Sequence, residues 1–449
     1  MSIALPRRLR APFAPAALVL ALGLAAGAAQ AQSLKALYEA ARGYDAAYQS
    51  ARLAADAAGY KAEQSKALVR PKVDAVASAG FSDVNIGSNV RAAKVSGGLE
   101  AAQSFYNPAN GKTIAQAERG IEVARAQLVA AEQDLIVRVA QAYFDVLSAT
   151  DALNTVRQAK KQISEQLASA KRNFEVGTAT ITDTREAQAR FDLATAQELA
   201  AENDLNVKRL ALENVVGRGG VQPAPLAQPV ALPGLMPASS EEWVNQAERA
   251  SPALRQLQLA LDVARLETEK ARLGNSPTVG WSASMTAGST HSRAGTAIGT
   301  VSSSDSGIDT TVGVRLSMPL YSGGLIQNRI KETTTLEQKA QSDLDAARRT
   351  LAQGTRSAYF GVQSLQAQVK ALEAAEGSSK LALEATQLGY KVGVRVNLDV
   401  LNAQTQLFQA QRDLAKARYD VLVNSLKLRQ VTGVLLPQDI DAVDALLAR

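Results

Sequence analysis

The feature that most constrains this chain is that it repeats itself at long range. Ala142-Tyr143-Phe144 recurs as Ala358-Tyr359-Phe360, 216 positions later. The same offset pairs Phe174-x-Val176-Gly177 with Tyr390-x-Val392-Gly393, Asp183 with Asp399, Asp204 with Asp420 and Gly217 with Gly433, without a gap. Upstream, Phe105 still aligns with Tyr321, and then the offset falls to 206, placing Pro71 opposite Pro277. A unit of this length is a duplicated domain and not a short-period solenoid.

Proline placement divides the chain in the same way. Five prolines lie from Pro223 to Pro237, whereas positions 109–222 and 320–436 hold none, as uninterrupted helix requires. The expected organisation is a leader at 1–31, a first repeat at 32–222, a Pro-rich linker at 223–240, a second repeat at 241–436 and a tail at 437–449. In the leader, Arg7, Arg8 and Arg10 precede an apolar stretch from about Ala16 to Ala28, and Ala29-Gln30-Ala31 has the small-x-small form of an export cleavage site. No other apolar run reaches the ~18 residues of a membrane-spanning helix.

Each repeat reads as helix, strand pair, very long helix, turn and shorter helix. Leu344, Leu351, Ala358, Leu365 and Leu372 recur every seven residues, with Val362, Val369 and Leu383 alongside. Leu128, Leu135, Ala142, Ala149, Val156 and Ile163 do so in the first copy, beside Val146, Leu153, Leu167 and Phe174. A sustained seven-residue period implies left-handed coiled-coil packing. Helices over 109–173 and 325–388 would be rods of roughly 95–98 Å, and those over 34–69 and 181–217 about 54 Å each. Two short helices end to end match one rod, which suits a cylinder of paired helices; a solid bundle fits the same stripes.

The intervening segments alternate with period two. Val73, Ala75, Ala77, Ala79 and Phe81 form one apolar row, Val279, Trp281, Ala283, Met285 and Ala287 a second, and Val312, Val314, Leu316, Met318 and Leu320 a third. Such rows mark half-buried strands, and at about 9–15 residues they are long enough to cross a bilayer when tilted. Gly288 to Thr311, rich in Gly, Ser and Thr, reads as an external loop holding His291, the single histidine. Four strands cannot close a barrel, whose minimum is about eight, and an open edge in lipid leaves backbone groups unpaired. Spanning therefore demands several subunits, in a number these arguments leave open. A soluble β-sandwich edge is the alternative.

Composition excludes much else. With no cysteine and one histidine, disulfide scaffolds, thiolate chemistry and the usual zinc sites are ruled out, and no catalytic constellation or cofactor motif stands out. Lys and Arg number 49 against 43 Asp and Glu; removal of the three leader arginines halves the excess, which gives no case for nucleic acid.

These features together resemble the TolC family of outer-membrane efflux and secretion ducts. The closest strings are Gly389-Tyr390-Lys391-Val392-Gly393 through Leu398-Asp399-Val400-Leu401, and Phe174-Glu175-Val176-Gly177 followed by Ile181-Thr182-Asp183. The resemblance implies an α+β membrane protein. Its long antiparallel coiled-coil helices would form an α-helical barrel, and four strands per protomer would complete a 12-stranded transmembrane β-barrel in a homotrimer. It also implies an outer-membrane location, a periplasmic adaptor and an inner-membrane transporter as partners, and passive conduction without catalysis. By resemblance, the periplasmic end is latched by Tyr390 and Arg395 with Thr182 and Asp183, next to the tip turns at Gly177 and Gly393. Asp399 forms an inward acidic ring there, and the family's second acidic position is Asn402 here. Read from the residues alone, Asp183 with Glu186, and Asn397 with Asp399, suit helix capping, and Gly177 and Gly393 suit helix C-termini. A periplasmic coiled-coil adaptor or structural protein is the alternative function.

Overall fold

The computed structural model describes residues 32–85, 89–227, 232, 234–296 and 299–448. The expected leader, 1–31, lies outside the described residues. The first half runs α1 (Leu34–Tyr44), α2 (Ala46–Lys66), β1 (Lys72–Asn85), β2 (Asn89–Tyr106), α3 (Pro108–Glu175) and α4 (Ile181–Val216). The second runs α5 (Ser240–Ala250), α6 (Pro252–Arg272), β3 (Thr278–Thr296), β4 (Gly299–Ser317), α7 (Leu325–Lys391) and α8 (Asn397–Thr432), and α9 (Gln438–Asp444) closes the chain. The duplication is thus structural: helix pair, hairpin, rod and shorter helix occur twice.

The rods α3 and α7 have 68 and 67 residues, about 100 Å each at the helical rise. Each is flanked by its shorter helix at the far end (α4 or α8) and by its helix pair nearer the sheet (α1–α2 or α5–α6). The burial follows the seams expected from the heptads: Val146, Leu153, Ile163 and Leu167 are buried on α3, and Val362, Val369 and Leu383 on α7. Phe174 departs from the pattern and is exposed, because it lies in the last helical turn.

One expectation fails at the first helix. A continuous 34–69 helix is interrupted at Asp45, whose extended backbone ends α1 and whose carboxylate accepts from Tyr48 N at 2.8 Å to start α2. The duplicate position is Ser251, which caps α6 in the same way with Pro252 as its first residue. Both breaks receive the αL glycine that ends the shorter helix. A Cβ on Gly217 would fall 2.3 Å from the Tyr44 ring, and one on Gly433 would fall 2.5 Å from Ala250 O. Only a residue without a side chain that tolerates positive φ fits there.

The repeated Ala-Tyr-Phe has a corresponding duty. Tyr143 Oη donates to Ala224 O at 3.0 Å, and Tyr359 Oη donates to Ala238 O. Each rod thus ties down one end of the segment joining the halves. The largest apolar cluster lies around this point, where α1, α3, α4, α8 and α9 meet (Leu34, Tyr143, Phe144, Leu212, Leu422, Leu426 and Ile440). Residue 32 bridges Pro223 and Leu447 bridges Leu226, so residues from three distant parts of the chain share one collar.

Candidate functional site

The four strands form one antiparallel sheet in the order β1-β2-β3-β4. Its register aligns the apolar rows. Val73, Ala101, Ala283 and Val312 stand side by side, as do Ala75, Leu99, Met285 and Thr310, and then Ala77, Gly97, Ala287 and Ile308. The opposite face carries Asp74, Glu100, Ser284 and Thr311 in one row and Ser78, Ser96, Gly288 and Gly307 in another, with Ser78 and Ser96 hydrogen-bonded at 2.8 Å. Because side chains alternate along a strand, one face is largely apolar, with Ser289, Ser306 and Thr310 as interruptions, and the other is largely polar.

The apolar face has definite limits. It begins at the row of Gln103, Trp281 and Val314 and ends at that of Phe81, Ala93 and His291; the next row is Asp83, Arg91 and Arg293. Ten residue steps are roughly 33 Å along a strand, or about 25 Å in height at the 35–45° tilt of barrel strands. That is the width of a lipid-facing band, with aromatic rings at both borders. Val73, Phe81, Leu99, Ile308, Val312 and Val314 on this face are all exposed in the single chain.

The expected external loop from Gly288 to Thr311 is corrected here. The strands have 14, 18, 19 and 19 residues, and β3 and β4 pair through almost all of that segment. His291 is therefore a strand residue, exposed beside Ser304 (Nε2 to Oγ 3.1 Å). The segment imitates a loop because, within the band, β3 and β4 contribute Ser289, His291, Ser304, Ser306 and Thr310 to the apolar face, and beyond the charged row both faces meet water, so little hydrophobic alternation survives. At the other border β4 ends at Ser317, leaving Met318 and Leu320 outside it.

About 100 Å away, the opposite ends of the rods form the helical tip. Both long helices end in the same way: Thr178 N donates to Asn173 O at 2.8 Å and Val394 N to Gly389 O at 2.9 Å, across Gly177 and Gly393 at φ +77° and +80°. This is the Schellman arrangement that turns each rod back on itself. Thr180 caps α4 in a reciprocal capping box with Asp183, the third helical residue. Asp183 therefore lies within the first turn and does not precede the helix. Asn397 is likewise not the cap of α8. Val396 holds that position, and Asn397 is a buried first-turn residue whose Oδ1 accepts from Gln166 of α3. Thr182 is an exposed first-turn residue.

The tip joins the two coiled coils of the chain through one apolar knob and several polar contacts. Leu401 of α8 is 1% exposed and packs with Ile163, Leu167 and Ala170 of α3 and Ala187 and Ala194 of α4. Around it, Asn173 Nδ2 donates to Tyr390 Oη at 3.3 Å, Gln166 to Asn397, and Arg190 Nη2 to Asn402 Oδ1 at 3.0 Å. Arg395 and Asp399 approach to 3.7 Å one turn apart. Within the chain, then, Tyr390 bonds Asn173, Arg395 pairs with Asp399, and Asp183 is held by Thr180. The sequence reading missed Gln166, Asn173 and Arg190, whose partners lie more than 200 residues away with no local pattern to announce them.

A half-buried polar contact lies between tip and collar. Tyr419 Oη of α8 donates to Asp151 Oδ2 of α3 at 2.6 Å beside a cavity of about 350 Å³. Burial pushes the Asp151 carboxyl above its ordinary range, against the opposing effect of the tyrosine hydrogen bond. Among the described residues no group of His, Cys, Asp and Glu could hold a metal ion, and no helix is long and apolar enough to cross a membrane.

A lipid-height sheet with two free edges, borne on rods of about 100 Å, defines one subunit of a membrane channel with a long helical extension. The comparisons give the family. The profile described as "Outer membrane efflux protein" matches residues 37–218 and 243–434, one segment in each half, and the chain belongs to that family. The outer membrane protein TolC of Vibrio cholerae serotype O1 is 32% identical over 429 residues, which span 95% of this chain and 96% of that one. The alkaline protease secretion protein AprF of Pseudomonas aeruginosa is 36% identical over 336 residues, 74% of this chain and 68% of its own. The crystal structure of the outer membrane protein VceC from Vibrio cholerae superposes with a TM-score of 0.73 at 19% identity, covering 89% of this chain and 96% of that one.

Proposed function

We propose that three copies of this chain assemble into an outer-membrane exit duct that serves efflux or type I secretion and performs no chemistry of its own. Lipid of the outer membrane surrounds a 12-stranded barrel, four strands from each copy, and the rods continue it as a tunnel into the periplasm. A periplasmic adaptor recruits the tip, and an inner-membrane ABC or proton-driven transporter supplies the energy. The observation that carries this reading is the sheet: an apolar band of lipid height whose outer strands, β1 and β4, each have one neighbour. Such edges are tolerable in lipid only when another copy pairs with them. Exposed apolar residues on the flanks of the rods support the same assembly, with Leu193, Leu199 and Leu210 on α4 and Phe360, Leu381 and Leu388 on α7. By the internal repeat, Phe360 corresponds to Phe144, which is buried against Tyr419 of α8; the neighbour's α4 would cover it.

In this assembly the tip is the closed end. Asp399 faces the axis as a ring of carboxylates, and Asn402 stands one turn further on. Tyr390 and Arg395 latch against Thr182 and Asp183 of an adjoining coiled coil, and Gly177 and Gly393 form the tip turns. Opening swings α7–α8 away from α3–α4, a switch between two packings. The halves 32–222 and 241–436, joined by 223–240 and followed by the tail 437–449, each contribute one coiled coil to the wall.

Fractionation and planar-bilayer recording test the reading. The expected result is an outer-membrane trimer, stable in mild detergent, that conducts ions across a lipid bilayer. A soluble periplasmic monomer without channel activity would instead point to a coiled-coil adaptor or structural protein.

A further inference from the structure

Asp399 and Asn402 are three residues apart on α8 and so share one helix face. Asn402 is not alone on it, because Arg190 reaches over from α4 and donates to its Oδ1 at 3.0 Å. The amide accepts that hydrogen bond but carries no charge to cancel the guanidinium. Among the described residues Arg190 has no carboxylate within ion-pair distance. Glu186, one turn earlier on α4, is not paired with it, and the nearby Asp192 accepts from Gln188 at 2.9 Å. Arg395 meanwhile lies 3.7 Å from Asp399. Any orientation that turns Asp399 to the axis therefore brings Asn402 there as well, with Arg190 attached.

We infer that Arg190 is a selectivity-determining residue of the tip, its guanidinium held on Asn402 so that a ring of positive charge offsets the Asp399 ring. The closed end then discriminates weakly between small cations and anions and does not trap cations. This rests on the pore reading above, with Asp399 facing the axis. Charge at a narrow constriction sets which ions pass, so removal of one positive charge per subunit is expected to change the cation-to-anion permeability ratio.

The test is the reversal potential of purified trimers in planar bilayers under a KCl gradient, with block by added CaCl₂ as a second readout. Arg190→Gln should raise the cation-to-anion ratio about threefold or more and strengthen calcium block, as expected for a unit charge near a partly desolvated path. Arg190→Lys should keep the parent ratio, which separates charge from hydrogen-bond geometry. Asn402→Asp alone should raise the ratio to a similar degree, because a guanidinium engaged by the new carboxylate no longer offsets Asp399; combined with Arg190→Gln it should give the most cation-selective channel of the set. A conducting Arg190→Gln trimer with the parent ratio and parent calcium block overturns the inference alone. Trimers that carry no current in any form, parent included, overturn the pore reading itself.

Discussion

Leu401→Ala is the sharpest probe of how the tip opens. Leu401 is almost fully buried between α3 and α4, so truncation removes a core leucine at a joint between two coiled coils. Such changes cost about 2–5 kcal/mol, and about 3 is a fair central value. If opening swings α8 out of this joint and the open form keeps half of the contact, the closed state loses about 1.5 kcal/mol more than the open one in each subunit. Three subunits acting together then shift the closed-to-open ratio by about 4–5 kcal/mol, or roughly a thousandfold. Single-channel recording should show a larger mean conductance and more frequent openings, and protease should cut the tip sooner. Leu426→Ala supplies the control, since Leu426 is equally buried but sits in the collar; it should lower stability without changing conductance. Should Leu401→Ala lower stability and leave conductance and tip proteolysis as in the parent, then opening does not part α8 from the α3–α4 pair, and the proposed swing is wrong.

Three further outcomes are expected. Arg395→Ala removes a cation that pairs with Asp399 in the chain and is assigned to the latch, so conductance should rise in planar bilayers; parent-like conductance would remove Arg395 from the gate. Gly98→Ala would place a Cβ 2.2 Å from Met285 O and 2.7 Å from Thr286 Cα. Backbone cannot yield there, so a cost of at least about 1–3 kcal/mol should appear as loss of the detergent-stable trimer on gels, and a normal trimer yield would contradict the β2–β3 spacing. At Asp151 burial raises the folded-state carboxyl above its unfolded value, so ionisation weakens the fold as pH rises through that interval. Asp151→Asn, which keeps an acceptor for Tyr419, should therefore be more resistant to denaturant than the parent at pH 7. That advantage should fade below the unfolded carboxylate value near about 4, and an equal gain at both pH values would discount the charge.

The parts legible in the sequence were those in which one physical pattern repeats without interruption. Long proline-free stretches with apolar residues every seven positions could be little other than paired rods, and the ends of α3 and α7 fall within three residues of the expected limits. The apolar rows of the sheet were equally plain, since Val, Ala, Phe, Trp and Met hold every second position from Val73 to Phe81 and from Val279 to Ala287, mostly with Gly, Ser and Thr between them. What failed to register was structure without hydrophobic contrast. The outer halves of β3 and β4 carry mostly Gly, Ser and Thr, even on the face that continues the apolar band, so their strand character rests on backbone pairing, which leaves no mark in composition. The break at Asp45 was hidden by alanines that suit a helix on either side, although Ser251-Pro252 in the second copy is a recognisable helix start. The tip contacts Gln166–Asn397 and Arg190–Asn402 are tertiary, and spacing alone cannot bring positions more than 200 apart to one place.

Beyond the charged row of Asp83, Arg91 and Arg293, the hairpins continue upward, β3 to Thr296 and β4 from Gly299. Three copies assembled as proposed would raise a serine-rich parapet about 10 Å along the strands beyond the charged row, kept upright by strand pairing. In the proposed assembly that rim faces the outside of the cell, and it bears on neither the apolar band nor the tip. Epitope insertions beside Thr296 or Gly299, the described ends of β3 and β4, are therefore the natural way to mark the duct from outside the living cell.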